Sequence, residues 1–319
     1  MLNKFKSSVI ILLVMIGCVL SASAQGWWDT TYWDEIRYFG PNWTPDGKIC
    51  FIKEIKNNSK TDNIPWPFYM LTFGRTYNNF GETEYYLCTM NTDGTDKKEI
   101  AKMPKGYKLE QISWARSNSK VVLSGRIFDK GIEKSAKIAA INPNGAEFKY
   151  ICDGIMADVS SDGAKIAYIN KGIWIANING TNKKRINDNG LSPLWSPDGK
   201  MIAFDRYVEK KGKEIWVISI DGKVQKKICD GVVLNWFNDS KRLWTYGGIV
   251  DLYGDLLLKY DVRIVGANAG VLSPDNSKMV SEAYFSKRPS DQDRVFYISD
   301  IYGNKIYEEI NKIRKSKGL

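Results

Sequence analysis

Residues 195–200 read Trp195-Ser196-Pro197-Asp198-Gly199-Lys200, and a strand-like run, Met201-Ile202-Ala203-Phe204, follows at once. Proline presets φ for the second position of a tight turn, Asp bonds the backbone two residues on, and Gly accepts φ above zero. The stretch is a chain reversal that feeds a β-strand. Relatives recur as Trp43-Thr44-Pro45-Asp46-Gly47-Lys48, Val159-Ser160-Ser161-Asp162-Gly163, Trp236-Phe237-Asn238-Asp239-Ser240-Lys241 and Leu272-Ser273-Pro274-Asp275-Asn276. A degenerate copy runs Trp114-Ala115-Arg116-Ser117-Asn118. From residue 114 to residue 272 the lead residues are spaced about 40 apart. The first interval is 71 and so carries an insertion of about 30.

Each unit continues in the same way. A variable loop leads to a second apolar strand such as Glu214-Ile215-Trp216-Val217-Ile218. A second turn follows, such as Asn91-Thr92-Asp93-Gly94, Asn142-Pro143-Asn144-Gly145 or Asp221-Gly222, and then a short strand such as Lys226-Lys227-Ile228-Cys229. Helical periodicity is nearly absent. Four strands repeated about every 40 residues define a propeller blade, because each blade buries its faces only against neighbours. The expectation is an all-β, six-bladed β-propeller of four-stranded antiparallel blades over residues 36–311, with a lead-in at 25–35 and a basic tail at 312–319. Asp34-Glu35-Ile36-Arg37-Tyr38-Phe39 reads as a strand without a blade of its own, available to complete the last blade and cover an edge. Residues 305–310 compete for that position.

The Trp-Ser-Pro-Asp-Gly-Lys turn, followed by Ile-Ala-Phe, Ile-Trp-Val and an Asp-Gly turn, resembles the repeats of TolB-type propellers. The resemblance spans nearly all of residues 36–310 and implies the fold more than a function, since such blades serve many proteins. TolB itself carries an α/β domain before its propeller. Here only about a dozen residues separate the leader from the first blade, so the resemblance is to the propeller alone and its Tol–Pal envelope role is not transferred.

Composition narrows the chemistry. The chain has no histidine, so it builds no Ser-His-Asp or Cys-His catalytic unit and no His-ligated zinc, copper or non-haem iron site. Residues 1–24 read as an export signal: Lys4 and Lys6, an apolar run at 9–20, and Ala22-Ser23-Ala24 before Gln25. The apolar run is too short to span a bilayer, which takes about 20 residues. Met15-Ile16-Gly17-Cys18 is a poor match to a lipoprotein cleavage box and gives a minor alternative, a lipid anchor on Cys18. Loss of Lys4 and Lys6 with the signal takes the formal charge from +10 to +8. That charge is interspersed with acids and accompanies no recognition module, which speaks against nucleic acid. Cys50, Cys88, Cys152 and Cys229 are even in number, each in a strand-like run, where disulfides and buried thiols are equally natural.

Strand parity sorts the loops. The Pro-Asp-Gly and Asn-x-x-Gly turns fall on one face, short and alike, where the Asp residues bond the turn backbone and the lead Trp residues pack between blades. The opposite face holds what is irregular. Residues 56–82 form a long insertion with no strand of its own, carrying Trp66, Phe68, Tyr69, Phe73, Arg75 and Tyr77. Aromatics with an Arg match the bias of binding hot spots. Arg206, Lys210, Lys211, Lys287, Arg288 and Arg294 add cations on two further loops of that face, suited to an acidic partner. Catalytic residues, metal ligands and cofactors are expected to be none.

The resulting expectation is an exported, periplasmic or secreted, non-catalytic propeller that holds an envelope or secreted protein, or a polysaccharide, without a transmembrane segment. The alternative is a propeller-type lyase or glycosidase acting on polysaccharide. A third reading is a filter for a separate peptidase. N-terminal sequencing of the exported chain is predicted to begin at Gln25; a chain retaining residue 24, or starting at a lipidated Cys18, contradicts the signal assignment.

Overall fold

Each Ser- or Thr-x-Asp turn is locked by its own side chains. In the computed structural model Ser196 Oγ donates to Asp198 Oδ1 at 2.6 Å and accepts the Met201 N–H at 2.9 Å, while Asp198 accepts the Lys200 N–H at 3.1 Å. Ser160 with Asp162 and Ser273 with Asp275 repeat the pattern, and Thr44 donates to Asp46 in the first turn. The lead residue thereby ends one strand and the next strand starts antiparallel to it.

The structure describes residues 30–62, 78–79, 83–259, 268–284 and 294–300. It divides into two compact units, Ile36–Glu54 with Glu84–Leu319, and Met1–Glu35 with Ile55–Thr83. The described strands form six sheets. The first contains β1 (Thr30–Trp43), β2 (Ile49–Asp62), β3 (Asn78–Asn79), β4 (Thr83–Met90) and β5 (Lys98–Lys102), in the order β1-β2-β4-β5 with β3 paired to β2. The second is β6 (Tyr107–Trp114), β7 (Val121–Asp129), β8 (Ile132–Ile141) and β9 (Lys149–Asp153). The third is β10 (Ile155–Val159), β11 (Lys165–Ile169), β12 (Ile173–Asn177) and β13 (Lys184–Asn187). The fourth is β14 (Gly190–Trp195), β15 (Met201–Val208), β16 (Gly212–Ser219) and β17 (Gln225–Asp230), antiparallel throughout. The fifth is β18 (Val233–Trp236), β19 (Arg242–Thr245), β20 (Gly248–Asp251) and β21 (Leu256–Lys259). The sixth shows three described strands, β22 (Asn268–Leu272), β23 (Lys278–Tyr284) and β24 (Arg294–Asp300).

The cores lie between sheets. Sheets one and two share Ile52, Leu87, Leu109 and Leu123; sheets two and three share Val122, Ile138, Ile166 and Tyr168. Sheets three and four share Ile173, Trp195, Ile202 and Phe204; four and five share Ile215, Val217, Trp236 and Leu243. Phe237, Trp244, Leu272 and Met279 join five to six. Trp43, Ile49, Phe51, Cys88 and Met90 of the first sheet then pack with Val280 of the sixth. Sequential pairing that returns to its start is a closed six-bladed propeller. Full burial of each such side chain contributes roughly 1.5–3 kcal/mol.

The lead tryptophans stand at these joints. Trp43 Nε1 donates to Val271 O at 2.8 Å, and Trp236 Nε1 donates to Leu194 O at 3.0 Å, each bond crossing from one blade to the one before it. Two expectations are corrected. Asp34–Phe39 belongs to β1, the innermost strand of the first blade, rather than completing the last. Every blade's inner strand precedes its turn, as β14 does, so the first blade needs this segment itself. The insertion is also not free of strands: β2 runs to Asp62, and Lys60 and Thr61 pair with Asn79 and Asn78. Residues 305–310, the tail and the signal lie outside the described residues.

The four cysteines among the described residues carry free thiols, three of them buried and Cys229 half-buried. Burial pushes the Cys50 and Cys88 thiols up to about 12, so they stay protonated at neutral pH.

The turn clasps set the acid limb of stability. Hydrogen bonds from Ser273, Ser277 and the Ser277 N–H hold the Asp275 carboxyl down at about 2. Asp93, Asp162 and Asp221 are lowered in the same way, first by Thr95, Ser160 and Ser219. A carboxyl lowered on folding stabilises the fold above its unfolded value near 4 and loses that contribution as pH falls through the folded value. Urea midpoints of the natural chain and Asp275→Asn are therefore predicted to differ most near neutral pH and to converge toward about pH 2; a constant gap contradicts the clasp account.

Candidate functional site

The inner strands bring equivalent residues of all six blades to one place. The residue before each lead position is Asn42, Ser113, Asp158, Leu194, Asn235 or Val271, and all six line a cavity of about 350 Å³. Two residues beyond the lead, at the turns, come Pro45, Arg116, Ser161 and Pro274, which line it also. The cavity thus opens on the face of the tight turns. Its wall is polar on Asn42, Ser113, Asp158 and Asn235, and apolar on Leu194 and Val271.

Most of the polar groups hold blades together. Asp158 accepts Ser113 Oγ at 2.5 Å from the blade before and the Trp195 N–H at 2.7 Å from the blade after. Ser113 Oγ in turn accepts the Val159 N–H at 3.0 Å. Asn42 Nδ2 donates to Ile112 O at 2.9 Å. The other cavity carboxylate, Glu110, takes Arg126 at 3.0 Å on one oxygen and Lys108 at 3.6 Å on the other. Removal from water raises the Asp158 carboxyl above its usual range, against the opposing pull of Ser113, the Trp195 and Val159 N–H groups and Arg116. Its pH sign is opposite to that of the turn aspartates: the stability it lends is present at low pH and falls as pH rises through its raised value.

Arg116 differs from these groups. Its Nη1 donates to Asn238 Oδ1, joining the second blade to the fifth, and Asn238 Nδ2 donates to Pro274 O of the sixth. Arg116 occupies the turn position where three of the other five repeats carry proline. Crowding by protein lowers its pKa and Asp158 opposes that shift. A guanidinium has five N–H donors, so the bond to Asn238 leaves it able to bind a further acceptor.

The opposite face is described in part. Arg206, Lys210 and Lys211 sit on the hairpin joining β15 to β16. Arg206 lies over the Trp216 ring at 5.2 Å, and the Trp216 indole donates to Glu214 at 2.9 Å. Lys210 takes a left-handed φ of 64° at the exposed tip, and the Lys211 N–H bonds Val208 O at 3.1 Å. The structure brings these three together on one hairpin. Arg294 starts β24 opposite Tyr284. Trp66, Phe68, Tyr69, Phe73, Arg75, Tyr77, Lys287 and Arg288 lie outside the described residues. Among the described residues no group of three or more Cys, Asp or Glu is placed to hold a metal ion.

Sequence reasoning passed over Arg116 and Asp158. The signal was there: the residue before the lead is polar in four repeats, and Arg116 breaks the Pro-Asp-Gly pattern.

No family model and no curated protein matches the chain. Solved structures do. TolB from Acinetobacter baumannii aligns with a TM-score of 0.53 at 14% identity, covering 88% of this chain and 79% of that one. An oligogalacturonate lyase in complex with manganese aligns with a TM-score of 0.52 at 10% identity, covering 88% of this chain and 98% of that one. The chain is an all-β protein with the TolB-like β-propeller fold. At these identities the likeness carries the fold and no activity. Among the described residues no helix is long and apolar enough to cross a membrane.

Replacing Asp158 with Ala leaves the Ser113 hydroxyl and the Trp195 N–H without their acceptor, and is predicted to cost about 2–4 kcal/mol in urea unfolding. A loss under about 0.5 kcal/mol, as at an ordinary surface position, contradicts the blade-joining role.

Proposed function

We propose that the protein is an exported, non-catalytic propeller of the cell envelope that holds a protein or polysaccharide partner on the face opposite the tight turns. The observation that carries the reading is how the axial carboxylates are used. Both oxygens of Asp158 and both of Glu110 already take donors or cations, so these acids serve as struts rather than as an acid–base pair. The export signal supports an envelope or extracytoplasmic location.

The partner-binding surface is proposed to combine the insertion, with Trp66, Phe68, Tyr69, Phe73, Arg75 and Tyr77, and the cations Arg206, Lys210, Lys211, Lys287, Arg288 and Arg294. Aromatics supply buried contact area, and rim cations steer an acidic partner and speed its association. Arg206 lies over the Trp216 ring, so its charge is positioned before any partner arrives.

Crosslinking capture in the native envelope tests this. The mature chain is predicted to capture one defined partner, and a variant with residues 63–77 replaced by a short turn to lose it. Equal capture by both removes the insertion from the surface. Cleavage of an envelope or plant polysaccharide by the purified protein overturns the non-catalytic reading in favour of a carbohydrate-active enzyme.

A further inference from the structure

The axial cavity on the turn face is separate from the proposed partner surface. We propose that it is a site for a small carboxylate ligand, with Arg116 as the anion anchor and the Leu194–Val271 side of the wall taking an apolar body.

Four observations lead to it. The cavity, about 350 Å³, falls at the small end of the range of small-molecule sites, roughly 300–1,000 Å³. It carries one cation, Arg116, among its lining residues. Neither of its two carboxylates is hydrogen-bonded to that cation: Glu110 takes Arg126 and Lys108, and Asp158 takes Ser113 and the Trp195 N–H and acts on Arg116 only through its charge. The only acceptor bonded to Arg116 among the described residues is a neutral amide oxygen, Asn238 Oδ1.

A ligand carboxylate is a stronger acceptor than that amide, because a charged pair exceeds a neutral acceptor and the guanidinium fork fits both oxygens. Asn238 keeps its bond to Pro274 O when Arg116 turns away, so the exchange leaves the turn face intact. The Arg116–Asn238 bridge spans the mouth from the second blade to the fifth, so a ligand that displaces Asn238 also opens its own way in. Leu194 and Val271 then offer apolar contact to whatever the carboxylate carries. The anion preference follows from position: the other repeats place Pro, Ser or Asn here, so the turn itself does not call for a cation.

The test is calorimetric titration of the mature protein with 4-methylpentanoate and N-acetyl-leucine, each against its neutral amide. Both acids are predicted to bind at least about tenfold more tightly than their amides, a gap of about 1.4 kcal/mol. Arg116→Gln is predicted to abolish that preference, and Asn238→Ala, which removes the competing acceptor, to strengthen acid binding. Tighter binding of N-acetyl-leucine identifies a peptide C-terminus as the source of the carboxylate, and tighter binding of 4-methylpentanoate a free organic acid. Equal affinity for acids and amides, no binding of any of the four compounds, or an unchanged preference in Arg116→Gln overturns the proposal. The variant lacking residues 63–77 is predicted to bind the acids as the natural chain does, so this site and the partner surface stand or fall separately.

Discussion

The indole N–H of Trp43 reaching Val271 O at 2.8 Å, over a core shared by Trp43, Phe51, Met90 and Val280, is the constraint on which the rest depends. It joins the first sheet to the sixth. Without it the sheets form an open stack whose end faces meet water, and each end sheet is free to open by itself. With it every sheet is covered on both sides. Among the described residues the closure is noncovalent: their four cysteines stay as thiols, and packing and hydrogen bonds join the first sheet to the sixth. Closing the ring also fixes the axis. Six inner strands must converge, and the residue before each lead position is carried to the centre whatever its chemistry.

That geometry explains the division of labour between polar groups. Near the axis the inner-strand N–H groups of Trp43, Val159, Trp195 and Trp236 are capped by Asn42, Ser113, Asp158 and Asn235. A buried carboxylate is tolerable at Asp158 because donors from both neighbouring blades are aimed at it. Arg116 alone among the lining residues brings a positive charge to the mouth. The opposite face is built on different terms, from hairpins of unequal length whose tips carry Lys210 and Lys211 into solvent.

Local and periodic features were legible in the chain. Turn aspartates and lead tryptophans act within a few residues of themselves or at a fixed place in each repeat, so one motif predicted six joints. Features that arise from convergence were not. Arg116 and Asp158 lie on different blades, and nothing in their spacing says that both face one cavity. Asp34–Phe39 reads as a strand free to complete the last blade, because the strand before the first turn has no preceding repeat to mark it as the first blade's own. Lys56-Asn57-Asn58-Ser59-Lys60 reads as loop from its polar, strand-poor composition, and only pairing across to Asn78–Asn79 shows it as strand.

Native-state hydrogen exchange across the blades tests ring closure most directly. If the ring is closed, amides of β2 and β23, in the first and sixth sheets, exchange only through the same global opening as those of β15 in the fourth. Trp43→Ala then lowers protection in both end sheets together. Faster exchange of β23 than of β15 in the natural chain, with β2 unaffected by the substitution, contradicts closure through Trp43 and describes an open stack instead.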